Sequence, residues 1–133
     1  MKKLYFAYGA NLNLNDMAYR CPDAKPVAAF SLKNWRLSFN GVATILPATE
    51  NDSVPGAIWE ITDHCEDSLD IFEGYPYLYT KIHLEQDDVN FMVYVMNENN
   101  PAPPSKNYLK TIQQGYQHWG LSVPALIKSA GQA

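Results

Sequence analysis

Residues Leu4 to Asn13, reading Leu-Tyr-Phe-Ala-Tyr-Gly-Ala-Asn-Leu-Asn, constrain the fold more than any other stretch of the chain. The first half is a short apolar, aromatic run of the kind that forms a buried strand. Gly9, Ala10 and Asn11 interrupt it. Gly9 has no Cβ, so the backbone there can turn sharply or approach another group closely. Asn11 and Asn13 are both residues that cap helix starts. A strand that stops in small residues and opens into a helix leaves backbone N–H groups unpaired and pointing one way. Such a turn is either a plain connection or a seat for a carboxylate or oxyanion.

The remaining pattern is one of many strands and few helices. Asn13 is placed to cap a helix over 14–20, with Asp16 in its first turn and Pro22 beyond its end. Residues 26–31 and 34–40 read as strands joined at Lys33-Asn34, with Trp35, Leu37 and Phe39 alternating toward one face. Gly41 separates them from a strand over Val42–Leu46 that stops at Pro47. After a polar loop from Thr49 to Ser53, Val54–Ile61 reads as a strand with Ala57, Trp59 and Ile61 on one side. Thr62 caps a helix whose Cys65, Leu69 and Phe72 share a face, and Gly74 closes it before Pro76.

Tyr79–Gln86 and Asn90–Met96 form a hairpin across Asp87-Asp88. The run Pro101-Ala102-Pro103-Pro104 is a stiff connector. Ser105 caps a longer helix with a stripe of Leu109, Ile112, Tyr116 and Trp119, ended by Gly120. A last short helix starts at Ser122 and Pro124, and the tail frays after Ser129. Strands and helices that do not alternate argue for an α+β domain with a largely antiparallel sheet or barrel. At 133 residues the chain is read as one domain, 1–133.

Several function classes fall away on composition. With a net charge of −4 and no run of Lys or Arg longer than two, there is no electrostatic footprint for nucleic acid. Lys2 and Lys3 before an apolar run resemble the start of an export signal, but the run ends at Gly9, too short for a signal core. No segment is long enough to cross a bilayer, so no membrane partner is expected and the location expected is cytoplasmic. Cys21 and Cys65 then read as free thiols. His64, His83 and His118 show no ligand spacing, so no metal is expected.

The residue that suggests chemistry is Glu73. It stands at the C-terminal end of a helix, where the dipole is negative, and it is followed by Tyr75, Tyr77 and Tyr79. If that carboxyl is buried, both burial and dipole favour its neutral form, and it would suit proton transfer near neutral pH. If it is solvated, it is an ordinary helix-terminal glutamate.

Tyr8-Gly9-Ala10-Asn11-Leu12 resembles the Tyr-Gly-Ser-Asn-Leu loop of the gamma-glutamylcyclotransferase superfamily. Gly41-Val42-Ala43-Thr44-Ile45, Gly56-Ala57-Ile58-Trp59, Leu69-Asp70-Ile71-Phe72-Glu73-Gly74, Tyr94-Val95-Met96 and Ala102-Pro103-Pro104-Ser105 with Tyr108 resemble later family segments, in order and over nearly the whole chain. The resemblance implies a small mixed β-barrel with peripheral short helices and a cavity at the barrel mouth. It implies that Gly9 to Leu12, with Tyr8, hold a γ-glutamyl group and that Glu73 is the catalytic acid–base. Tyr79 and Tyr108 would line the cavity. It further implies release of 5-oxoproline from a small γ-glutamyl compound without a cofactor, and it allows a homodimer. Removal of a γ-glutamyl group from a larger amine and a non-catalytic binding role are the alternatives. Ala10 replaces the family's Ser, which keeps a backbone N–H and loses a hydroxyl.

Overall fold

A computed structural model describes residues 3–131. Lys2, one of the two lysines weighed as an export signal, and the two residues after 131 lie outside the described residues. The described residues fold as seven strands and four α-helices. The strands are β1 (Lys3–Ala7), β2 (Lys25–Lys33), β3 (Trp35–Asn40), β4 (Val42–Pro47), β5 (Ser53–Ile61), β6 (Tyr79–Gln86) and β7 (Val89–Met96). The helices are α1 (Leu14–Arg20), α2 (Asp63–Glu73), α3 (Lys106–Trp119) and α4 (Val123–Gly131), and a single 3-10 turn covers Ala10–Leu12.

Five strands form one sheet in the order β2-β5-β1-β7-β6, and β3 pairs with β4 in a second sheet. Every pairing is antiparallel except β1 with β7, which is parallel. The α+β class and the largely antiparallel sheet are therefore as the sequence predicts, but the barrel is not closed. The two edges of the curled sheet meet at one end through a single side chain. The Gln86 amide donates to Ser31 O at 2.9 Å and accepts from Lys33 N at 2.9 Å, so it stands in for the missing ladder between β6 and β2.

Two expectations are corrected here. The strands on either side of Asn34 do not pair with each other: β2 pairs with β5, and β3 turns away to pair with β4. Asn34 has φ +71, so the chain changes sheet there instead of folding back as a hairpin. Nor does the tail fray after Ser129: α4 runs to Gly131 and buries Ala130. The hairpin across Asp87-Asp88 does form, with both residues at positive φ (55 and 64), the geometry that matches strand twist in a two-residue turn.

The core lies between the sheet and the helices. β5 lies between β2 and β1 and buries Ala57, Ile58, Trp59 and Ile61, so it is covered on both faces. Gly56 is obligatory in that strand, because a Cβ there would stand 2.3 Å from Ala7 O and 2.6 Å from the Phe6 ring. The α3 stripe buries Ile112 and Tyr116 fully, with Leu109 and Trp119 packed at its edge.

Candidate active site

The strand β1 ends at Ala7 and delivers Tyr8 and Gly9 to the 3-10 turn. Gly9 comes close to β4: a Cβ there would sit 3.2 Å from Ala43 Cβ and 3.5 Å from the Tyr108 hydroxyl. A larger residue would push the turn away from that wall. Within the turn, Leu12 N donates to Gly9 O at 3.0 Å and Asn13 N to Ala10 O at 3.1 Å. The amides of Ala10 and Asn11 open the turn and have no carbonyl of the turn to donate to. Of the stretch 9–12, it is the Leu12 amide that is spent within the turn; no carbonyl of the turn accepts from Gly9, Ala10 or Asn11.

The helix α3 fastens this loop from outside. Asn13 caps α1 by accepting from Asn15 N and Asp16 N, and its Nδ2 donates to Thr111 O and Gln114 Oε1, both at 3.1 Å. The Trp119 indole donates to Leu12 O at 2.9 Å, and Leu14 N donates to His118 Nδ1 at 3.1 Å. Gly115 lets the helix come this near, since a Cβ there would lie 2.7 Å from Leu12 Cβ and 2.8 Å from Asn13 N.

Beside the loop lies a cavity of about 120 Å³. Its wall includes Tyr8, Gly9, Ala10 and Asn11 from the loop, Glu73 from the end of α2, Tyr79 from β6 and Tyr108 from α3. Seven of the eight residues singled out in the sequence therefore share one cavity. Leu12 does not: its side chain is fully buried in the core and its carbonyl is taken by Trp119. The sequence reading missed Tyr5, Tyr94, Val42, Ala43, Phe72 and Leu78, which complete the wall. Tyr94, Val42, Ala43 and Phe72 lay within quoted family segments, and Tyr5 within the opening run, but nothing in their spacing marked them as cavity residues.

Helix α2 brings Glu73 to this wall and stops there, because Gly74 takes a left-handed conformation (φ +68) and ends it. The Glu73 carboxylate has no hydrogen-bond or salt-bridge partner among the described residues. Burial pushes its pKa up to about 7, against the opposing charge of Arg20. Phe72 departs from the expected buried stripe of Cys65, Leu69 and Phe72: it is 46% exposed, and the Arg20 guanidinium covers its ring 3.5 Å from the centroid. A cation on an aromatic face is stabilised where a bare exposed ring is not.

The cavity tyrosines differ in what their hydroxyl protons do. Tyr8 donates to Tyr94 O at 2.7 Å, Tyr79 to Ala43 O at 2.6 Å and Tyr94 to Asp70 Oδ1 at 2.5 Å. Tyr5 and Tyr108 instead accept, from Asn11 Nδ2 at 3.0 Å and from Ala43 N at 2.9 Å. Their own protons have no acceptor among the described residues. Burial raises all five hydroxyls, Tyr108 to about 12, so each stays protonated at neutral pH. The site thus offers one carboxyl that titrates near neutrality, loop amides not spent within the turn and two uncommitted hydroxyl donors. Among the described residues no group of His, Cys, Asp and Glu is arranged to hold a metal ion, and no helix is long and apolar enough to cross a membrane.

Residues 5–119 match the family described as gamma-glutamyl cyclotransferase, AIG2-like. A Homo sapiens protein named gamma-glutamylcyclotransferase is 30% identical over 136 aligned residues, covering 89% of this chain and 72% of the relative. Its Mus musculus counterpart is 31% identical with the same coverage of 89% and 72%. A solved structure of a gamma-glutamyl cyclotransferase superposes with a TM-score of 0.84 at 28% identity, covering 97% of this chain and 86% of that one. The fold and the matches define an enzyme of the gamma-glutamylcyclotransferase type. The chain belongs to the gamma-glutamyl cyclotransferase, AIG2-like family.

Proposed function

We propose that this enzyme cyclises the γ-glutamyl group of a small γ-glutamyl compound, releasing 5-oxoproline and an amino acid or amine. The observation that carries the reading is the Glu73 carboxyl, unpaired in the cavity wall and titrating near 7. A carboxyl poised there can take and return a proton at neutral pH.

The steps follow from the groups. The substrate's α-ammonium loses a proton to Glu73, and the free amine attacks its own γ-carbonyl. A ring C–N bond forms, and the attack is intramolecular, so orientation is gained once the chain is folded back. The oxyanion is met by donors aimed into the cavity, for which the Ala10 and Asn11 amides and the Tyr108 hydroxyl are suited. Collapse breaks the original γ-amide C–N bond as Glu73 returns its proton to the leaving amine, and the ring nitrogen's second proton then passes by the same carboxyl to that amine, leaving a neutral lactam and an ammonium product. No cofactor takes part.

Phe72 and Leu78 line the cavity and are 46% and 50% exposed, so its rim opens to solvent. That rim favours, as the second reading, a leaving amine larger than an amino acid. The test is a 5-oxoproline assay over γ-glutamyl amino acids and γ-glutamyl amines, for wild type and Glu73→Gln. Product from the amino acids and small amines supports the first reading, and product from the larger amines alone supports the second. No product from any member of the panel overturns both in favour of a non-catalytic binding role.

A further inference from the structure

Arg20 ends α1 outside the cavity wall, yet it touches two of the wall's residues. Its guanidinium rests on the Phe72 ring, 3.5 Å from the centroid, and Phe72 directly precedes Glu73. The same group donates to Asn11 Oδ1. Asn11 in turn donates from Nδ2 to the Tyr5 hydroxyl at 3.0 Å, so both halves of its amide are engaged. Asn11 is fixed in rotation by a donor on one side and an acceptor on the other, and the 3-10 turn is fixed with it.

We propose that Arg20 is a positioning residue of the site: it ties the binding loop to the helix end that carries Glu73 and holds a positive charge beside that carboxylate. The proposal rests on the reading of Glu73 as the proton carrier.

The physical case is one of charge and shape. An arginine's planar fork can stack on a ring and donate in its own plane at the same time, which an ammonium cannot do. The other titratable groups that feel the Glu73 charge are tyrosines: Tyr5 from β1, Tyr8 beyond its end, Tyr79 from β6 and Tyr108 from α3. Burial holds all four neutral far above physiological pH. Arg20 is then the one charged group acting on the carboxyl from its surroundings among the described residues. Removing that charge leaves burial unopposed.

The test separates the charge from the hydrogen bond. Arg20→Gln keeps a donor for Asn11 and loses the charge; Arg20→Lys keeps the charge and loses the fork. The Glu73 side-chain carboxyl is titrated by ¹³C NMR, assigned by its loss in Glu73→Gln, and the pH profile of kcat/KM is recorded beside it. In Arg20→Gln the midpoint is expected to rise by roughly half a unit to one unit, with the acid limb of kcat/KM moving by the same amount. In Arg20→Lys the midpoint is expected to stay near wild type while KM rises several-fold, because Asn11 is no longer held. An unchanged midpoint in Arg20→Gln overturns the proposal. So does a pair of variants that melt at lower temperature but keep the wild-type titration and KM, since that is a structural arginine only. The NMR titration needs no turnover: a wild type that releases no 5-oxoproline overturns the proposed activity, and the midpoint still decides what Arg20 does to Glu73.

Discussion

Tyr79 and Tyr108 hold opposite ends of one residue: the Tyr79 hydroxyl donates to the Ala43 carbonyl at 2.6 Å, and the Tyr108 hydroxyl accepts from the Ala43 amide at 2.9 Å. Ala43 lies on β4, and its two partners come from β6 and α3, so this clasp draws three elements into one wall. It also makes the two tyrosines unequal. Tyr79 has spent its proton and Tyr108 has not. Both Phe variants lose a hydrogen bond to a buried backbone group, costing about 1–3 kcal/mol and lowering the melting temperature. Tyr108→Phe is expected to lose in addition at least about tenfold in kcat, as a donor to developing charge does when removed. Tyr79→Phe is expected to keep kcat within a small factor. Equal kcat values in the two variants would show that the free proton has no part in turnover.

Glu73→Gln is expected to fold and to lose about 10²–10⁴-fold in 5-oxoproline release. Gln keeps the shape and donates and accepts hydrogen bonds, but it cannot carry a proton between two nitrogens. Steady-state kinetics on a γ-glutamyl substrate decide it. A variant running near wild-type rate would remove Glu73 from the mechanism.

The same residue links stability to pH, and the sign runs against the usual carboxylate. The folded-state pKa of Glu73 is about 7 where the ordinary value is 4.5, so the folded protein holds this proton more tightly than the unfolded chain. The favourable contribution is whole below 4.5, is lost as pH rises toward 7, and is gone above it. Wild type is therefore expected to lose stability relative to Glu73→Gln across that window, on the order of 1–2 kcal/mol once partial exposure is allowed for. Urea unfolding of both proteins at matched pH values measures the difference. A gap that is flat with pH, or that grows in the other direction, contradicts a raised pKa.

Gly115→Ala tests the fastening of the loop by α3. The added Cβ would meet Leu12 Cβ at 2.7 Å and Asn13 N at 2.8 Å, and backbone cannot step aside as a flexible side chain can. Overpacking of this kind costs about 1–3 kcal/mol. Because the displaced atoms belong to the binding loop, KM is expected to rise beyond what the lowered stability explains. Kinetics well below the melting temperature separate the two effects.

Local chemistry made much of this architecture readable. Asn13, Thr62 and Ser105 all cap the helices that their spacing announces, and Gly74 and Gly120 end two of them in the left-handed conformation. Those signals act within a few residues, which is why they can be read in order along the chain. Strand partnership cannot be read that way. Lys33-Asn34 has the look of a hairpin turn, yet the long-range pairing of β2 with β5 decides where each strand goes. The site divides along the same line. Glu73 and the turn at Gly9 stand out locally, through a helix end and a missing Cβ. Arg20, Tyr5 and Tyr94 matter through contacts with residues on other elements, and an arginine ending a helix looks like any surface charge until Phe72 and Asn11 are seen against it.

The fastening of residues 12–14 by Thr111, Gln114, His118 and Trp119 has a consequence in time. The binding loop is synthesised well before its fastener, whose contacting residues stand 98 to 107 positions further along the chain. A nascent chain complete through β7 already carries Glu73 and Tyr79, but neither Tyr108 nor the helix that shapes the turn. Contacts across so much sequence form late, after the loop between them has closed. The enzyme is thus expected to stay silent until α3 has been made and to gain its substrate pocket only when that helix docks. A chain cut before α3 would keep the seven described strands and lose the helix that holds the binding loop in shape.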